Sequence, residues 1–221
     1  MDQNLVTNLE KSLSEQGVTL VAVSKTKPVE LIQDIYDLGI RAFGENRIQE
    51  LVDKKDQLPQ DIQWHMIGNL QSNKVKYIAP FVHLIHSVSS KKLVATIHKE
   101  GKKNNRRIPI LLQLRIAQED SKSGMTEDDL FSIINESQDG LYDYVEIKGL
   151  MGMATFTSDE EQIRKEFRLV TACRGRIQNE FPDFFRNEPI LSFGMSGDYK
   201  IAIEEGSNMV RIGSLIFGAR Y

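Results

Sequence analysis

The chain has a single cysteine, Cys173. No disulfide framework can form within it, and such sparing cysteine use suits a reducing compartment. It also lacks any uninterrupted apolar run approaching the roughly 18 residues of a membrane span, and its first residues lack a secretory pattern. No membrane partner is therefore expected, and a cytoplasmic location is. Neither sign of charge dominates, with 28 Lys and Arg against 31 Asp and Glu, a net charge of -3 and a pI near 5.9. That balance offers no global basis for nucleic-acid binding. The basic run from Lys99 to Arg107 is interrupted by Glu100, Asn104 and Asn105, and reads as a solvated helix end rather than a phosphate-backbone patch. Linkers rich in Pro, Gly and Ser, low-complexity tracts and breaks in composition are missing too, so the 221 residues are expected to form one domain.

What is present is a repeated strand-to-helix unit. Leu20, Val21, Ala22 and Val23 form a short, β-branched apolar run suited to a parallel strand covered on both faces. Pro28 cannot donate to a ladder and sits well at the first turn of a helix. The apolar residues Val29, Leu31, Ile32, Ile35, Tyr36 and Leu38 then recur at helical spacing up to Gly39. The unit recurs with strands expected over 40–44, 62–68, 82–87, 108–115, 144–150, 189–193 and 209–212. Helices are expected from Glu45, over 70–79, up to Gly101, from Thr126, over 159–181 and over 196–205. About eight strand-like segments, nearly all separated by helices, fit an α/β single-domain (β/α)₈ barrel of TIM type. An open doubly wound sheet is the alternative, because periodicity cannot show closure. Residues 1–17 read as an extra N-terminal helix, with Leu5, Leu9 and Leu13 on one stripe and a place across the barrel bottom, and 18–221 as the barrel itself.

In such a barrel chemistry gathers at the C-terminal ends of the strands. Lys25 follows the first apolar run, where a lysine is either a reactive amine or an ordinary loop lysine. Glu45 and Asn46 follow the second run, His65 and Gly68 surround the third, His86 and Ser87 end the fourth, and Lys122 lies in the loop after the fifth. The segment Ser192-Phe-Gly-Met-Ser-Gly-Asp198 runs through two glycines into a helix start, which exposes backbone N–H groups to an anion. Arg211-Ile-Gly-Ser214 follows on the last strand, with Gly213 allowing close backbone approach and Ser214 offering a hydroxyl. Barrels commonly hold a phosphate between their last two loops. Closure would bring this cradle beside Lys25, so a ligand bearing both an aldehyde and a phosphate would satisfy both. Pyridoxal 5'-phosphate is that kind of ligand.

The segments AVSKTKP (22–28), FGEN (43–46), WHMIGNLQSNK (64–74), SKSG (121–124), GLM (149–151), SFGMSGD (192–198) and VRIGSLIFGAR (210–220) stand in one order over nearly the whole chain. In these the sequence resembles the pyridoxal phosphate homeostasis proteins, related in fold to the barrel domain of alanine racemases. The resemblance implies pyridoxal phosphate as cofactor, held as a Schiff base on Lys25. It implies phosphate contacts at Ser196, Gly213 and Ser214 with backbone help from Met195, a place for Arg211 near the pyridine ring, and Asn46 among the cofactor-binding residues.

Other residues admit two readings. Lys27 could lower the amine pKa of Lys25 by like-charge repulsion or lie on the surface, and Lys122 could reach over the site or be solvated. Arg211 interrupts an apolar run and needs a partner, either the ring nitrogen or a carboxylate such as Glu45. An arginine at the ring nitrogen would disfavour its protonation and weaken the ring as an electron sink. His83 and His86 point to opposite faces of one strand and His65 and His98 lie far away in sequence, so no metal cluster is expected. His65 and His86 line the mouth or sit satisfied in the core. Cys173 reads as packing, and Phe181, Phe184 and Phe185 as core closure.

Three functions follow. One is a cofactor-binding homeostasis protein that exchanges pyridoxal phosphate, with PLP-dependent apoenzymes as partners and no robust catalysis. Another is a racemase or decarboxylase using the same cofactor, and the third a lyase forming a Schiff base on a phosphorylated carbonyl substrate. Racemases of this barrel type add a β domain and a second base, neither of which is seen up to Tyr221. The lyase would need an acid–base pair that is not evident around Lys25. The binding protein is therefore expected, as a monomer.

Overall fold

The computed structural model of the chain describes residues 2–117, 124–185 and 187–218. Eight parallel strands close into a barrel in chain order, which excludes the open sheet. They are β1 (Thr19–Val23), β2 (Ala42–Glu45), β3 (Gln63–Met66), β4 (Leu84–Val88), β5 (Ile108–Gln113), β6 (Val145–Met151), β7 (Ile190–Met195) and β8 (Met209–Ile212). The last strand pairs with the first, Ala22 beside Ile212. Inside the barrel Val21, Ala42, Leu84, Leu111, Met151 and Met209 pack together. A larger apolar layer lies between the strands and the surrounding helices, with Phe43, Phe167 and Phe193 fully buried in it.

The outer helices are α1 (Gln3–Glu15), α2 (Val29–Asp37), α3 (Ile48–Lys55), α4 (Val75–Ile78), α5 (Lys91–Lys103), α6 (Glu127–Gln138), α7 (Glu160–Glu180), α8 (Tyr199–Glu204) and α9 (Ser214–Phe217). Several starts are written in the sequence as side-chain caps. Asp2, Ser90, Thr126 and Asp159 each accept a hydrogen bond from the amide three residues on.

Three expectations change. In α1 the buried residues are Val6 and Leu13 while Leu5 is about half exposed, because the helix lies against β1 and α9 rather than across the barrel bottom. The helix expected over 70–79 is a 3-10 turn, Ser72–Lys74, followed by the single turn of α4. Gln71, Asn73 and Lys74 are exposed, and after Leu70 the next buried side chain is Val75. The helix expected from Ser196 begins only at Tyr199. Gly194, at φ +93°, sits where β7 and β8 shift register, so three steps on β7 span two on β8. A Cβ at Gly194 would lie 2.5 Å from that of Ala202, so glycine there lets α8 pack close.

Candidate functional site

Lys25 lies one residue beyond Ser24 at the C-terminal end of β1 and is half-buried. Its turn is held from both sides by a buried ionic cluster. Lys54, on α3, donates to the Ser24 carbonyl at 2.9 Å, to Glu45 Oε1 at 2.8 Å and to Glu50 Oε2 at 3.2 Å. Ser24 Oγ donates to Glu45 Oε1 at 2.6 Å, and the Thr26 amide donates to Glu50 Oε2 at 2.6 Å. Thr26 adopts φ +64°, a left-handed conformation costing a side-chain-bearing residue about 1 to 2 kcal/mol. Burial raises the Glu45 pKa, opposed by its hydrogen bonds from Lys54 and Ser24. Burial acts the same way on Glu50, but the Thr26 amide and Lys54 outweigh it and hold that carboxyl below its ordinary value.

The turns after β7 and β8 stand beside this one. The Gly213 amide donates to Ser196 Oγ at 3.3 Å, joining the two loops. A Cβ at Gly213 would lie 3.3 Å from both Cβ and the carbonyl oxygen of Val23, so this residue is where β8 runs close against β1. Ser214 is exposed, as is Met195, whose amide donates to Asp198 Oδ1. The Ile216 and Phe217 amides turn back onto the Gly213 carbonyl. Lys27 donates to the Phe217 carbonyl at 3.1 Å, tying the first loop to the last, a contact that neither reading offered for it included.

Arg211 points into the barrel, 4 % exposed. Its guanidinium donates to Ser192 O and Oγ, both at 2.7 Å, and to the Gly152 carbonyl at 3.2 Å. Glu45 is taken by Lys54, so the ion pair with Glu45 considered for it does not form, and the carboxylate whose charge acts on the guanidinium is that of Asp198. Burial lowers its pKa to about 10. Behind it runs a chain of buried polar groups. Ser192 Oγ lies 3.0 Å from His86 Nδ1, and His86 Nε2 lies 2.8 Å from His65 Nδ1. Since β4 and β7 are not neighbours in the sheet, this chain crosses the barrel interior.

The histidines are thus closer than their sequence separations imply, with the His65 ring 5.2 Å from that of His83 and 5.1 Å from that of His86. His65 and His86 are interior residues, not lining of the mouth. Burial, with His83 beside it, lowers the His65 pKa to about 3. Burial, then His65 and Arg211, lowers that of His86.

Lys25, Asn46, Met195, Ser196, Arg211, Gly213 and Ser214 therefore come from four strands adjacent in the closed sheet, in the order β7, β8, β1 and β2. Asn46 is wedged by its backbone, since a Cβ on Gly68 would lie 2.3 Å from the Asn46 carbonyl oxygen. Its side chain lines a groove beside the mouth with Gln49, Asn69, Lys74 and Tyr77. Lys122 lies outside the described residues. A cavity of about 730 Å³ opens at the opposite end of the barrel, near His83, Arg106 and Phe185, and none of the seven residues lines it.

The match to the family model for the alanine racemase N-terminal domain spans residues 2–221. A pyridoxal phosphate homeostasis protein of Aquifex aeolicus is 38% identical over 207 residues, covering 93% of this chain and 89% of that one. Another, from Schizosaccharomyces pombe, is 35% identical, covering 96% and 88%. The chain belongs to the pyridoxal phosphate homeostasis protein family. Among solved structures, PipY of Synechococcus elongatus without pyridoxal phosphate superposes with a TM-score of 0.87 at 32% identity, covering 96% of this chain and all of that one. The same protein with pyridoxal phosphate bound gives 0.83. Alanine racemase of Bartonella henselae, at 17% identity and a TM-score of 0.73, shares the fold.

The sequence reading did not single out Lys54, Glu50 or Ser192 for this site. Glu50 and Lys54 are one helical turn apart, a spacing that signals an ion pair on one face, but nothing in the spacing shows that the face turns toward β1.

Proposed function

We propose that this protein binds pyridoxal phosphate at the C-terminal mouth of its barrel and passes it to other proteins, serving cofactor homeostasis rather than robust turnover of a substrate. The observation that carries this is the convergence of an amine, an anion-binding pair of turns and a buried guanidinium on four adjacent strands. When bound, the cofactor supplies an aldehyde that condenses reversibly with a primary amine, losing water, and a phosphate that carries negative charge. The residues fit that group. Lys25 provides the amine, Ser196 and Ser214 the hydroxyls, and Gly213 with Met195 the backbone approach. Arg211 would hold the ring nitrogen as a donor. A guanidinium there disfavours a proton on that nitrogen, so carbanion chemistry is poorly supported. Asn46 completes the mouth from β2.

The relatives that share most of this chain's length carry the homeostasis name, and PipY binds pyridoxal phosphate on the same barrel. Among the described residues no helix is long and apolar enough to cross a membrane. We place the protein in the cytoplasm as a monomer, with PLP-dependent apoenzymes as acceptors. Borohydride reduction of the protein loaded with pyridoxal phosphate, followed by peptide mass analysis, tests the site. A pyridoxyl mass on Lys25, lost in Lys25→Ala, is expected, and an adduct on any other residue alone overturns the assignment. Purified protein should turn over no amino acid appreciably; robust racemisation or decarboxylation would make it an enzyme instead.

A further inference from the structure

We propose that Lys54 and Glu50 are positioning residues for Lys25, a role that rests on the reading of Lys25 as the cofactor amine. The two backbone groups that flank Lys25 are the Ser24 carbonyl and the Thr26 amide. The first accepts from Lys54 and the second donates to Glu50, while Lys54 and Glu50 bond each other at 3.2 Å. One helix, α3, thereby grips the peptide on both sides of the reactive lysine. Glu45 anchors the grip from below through Ser24 Oγ and Lys54, with its own side chain fully buried. Neither Lys54 nor Glu50 has to touch the ligand to act in this way.

Stability alone is a poor reason for such a cluster. A buried ion pair loses in desolvation much of what it gains in attraction, and apolar residues of similar size commonly do as well. One Glu45 oxygen, Oε2, has no hydrogen-bond partner among the described residues, an added cost of the arrangement. What the cluster does provide is a fixed left-handed turn at Thr26. A β-branched residue does not hold φ +64° by itself; the Lys27 amide closes the turn onto the Ser24 carbonyl at 3.0 Å, and the Glu50 carboxylate on the Thr26 amide holds it from α3. A turn free to relax would move the Lys25 Cα relative to the loops of β7 and β8, where the phosphate is gripped. A displacement of about 1 Å suffices to slow a positioned reaction on the order of a hundredfold.

The test follows the rate at which Lys25 reacts with added pyridoxal phosphate, by the growth of visible absorbance in the full-length protein, with borohydride trapping and peptide mass to count the product on Lys25. Glu50 is part-exposed, so its replacement leaves the fold intact. Glu50→Ala is expected to slow the reaction on the order of tenfold. Glu50→Gln, whose amide oxygen can still accept from Thr26, should restore it to within about twofold. Lys54→Met should slow it further, provided circular dichroism shows it folded; if it does not fold, the Glu50 pair decides. Wild-type rates in Glu50→Ala, or equal slowing in Glu50→Gln, overturn the proposal. If wild-type protein fails to label Lys25, it is the cofactor assignment that falls. The grip of α3 on the turn is then judged by hydrogen exchange at the Thr26 amide, which should quicken in Glu50→Ala and not in Glu50→Gln; unchanged exchange in Glu50→Ala overturns it.

Discussion

Arg211 carries its charge into the barrel, where burial works against it and the charge of Asp198 works for it. Depression of its pKa to about 10 by burial corresponds to about 3 kcal/mol against the charged form. Three hydrogen bonds, each worth about 1.5 to 3 kcal/mol when the donor is charged, offset that cost. Together the bonds outweigh the cost, so Arg211→Met is expected to destabilise the unliganded protein by about 1 to 3 kcal/mol in urea unfolding, the range for leaving buried acceptors without a donor, while weakening pyridoxal phosphate at least about tenfold in a titration. A large loss of stability without a loss of affinity would show that the guanidinium serves the core instead. Sequence pointed at this residue because it breaks the apolar run of β8. Its partners were hidden, because which strands face one another across a barrel is set by closure, and Glu45 was claimed by a lysine nine residues along. Cys173 is a simpler case. Burial, then the nearby Glu127 carboxylate, pushes its thiol up to about 12. It should stay unmodified by a maleimide at neutral pH until the protein is unfolded.

At the scale of elements, the strands and most helices follow from short runs of one periodicity, and the caps at Asp2, Ser90, Thr126 and Asp159 mark starts legible in the sequence. Thr126→Ala removes the oxygen that accepts from the Asp129 amide and is expected to cost about 1 kcal/mol. What the sequence obscured were the places where backbone departs from the repeat. The bulge at Gly194 delays α8 to Tyr199, and the polar stretch from Gln71 to Lys74 shortens the helix between β3 and β4. Both depend on how closely neighbouring backbones approach, which no periodicity reports. Gly68 is such a place at the mouth. Alanine there would set its Cβ 2.3 Å from the Asn46 carbonyl oxygen, and that backbone atom cannot swing away as a side-chain end would. The β2 and β3 ends would be pushed apart, with an expected loss of about 2 to 3 kcal/mol in urea unfolding. Cofactor affinity should fall with it, since Asn46 moves. Affinity unchanged in Gly68→Ala would remove Asn46 from the site.

The whole barrel makes one further demand, because its interior is not uniformly apolar. His65 and His86 are enclosed as neutral rings, and unfolding releases them to solvent. His65 titrates near 3 when folded and near 6.5 when unfolded. Between those values the unfolded chain binds a proton that the folded chain refuses, so stability falls as pH drops through 6.5 and the loss is complete only below about 3. The slope from His65 approaches about 1.4 kcal/mol per pH unit well inside that window. His86, depressed by the same burial, acts in the same direction. Glu45 acts oppositely: with its folded pKa raised, the folded state holds a proton above 4.5 that the unfolded state has lost, which stabilises as pH falls toward that value. The histidine contribution is isolated by comparison with His65→Gln, which keeps a polar partner for His86 and removes one titration. The stability advantage of wild type over the variant should shrink by about 1 kcal/mol per pH unit from 6 to 5 in urea unfolding. A constant difference over that range would mean that the ring takes up its proton in the folded barrel. The chain from His65 to Arg211 would then carry a second charge in the core beside that of Arg211.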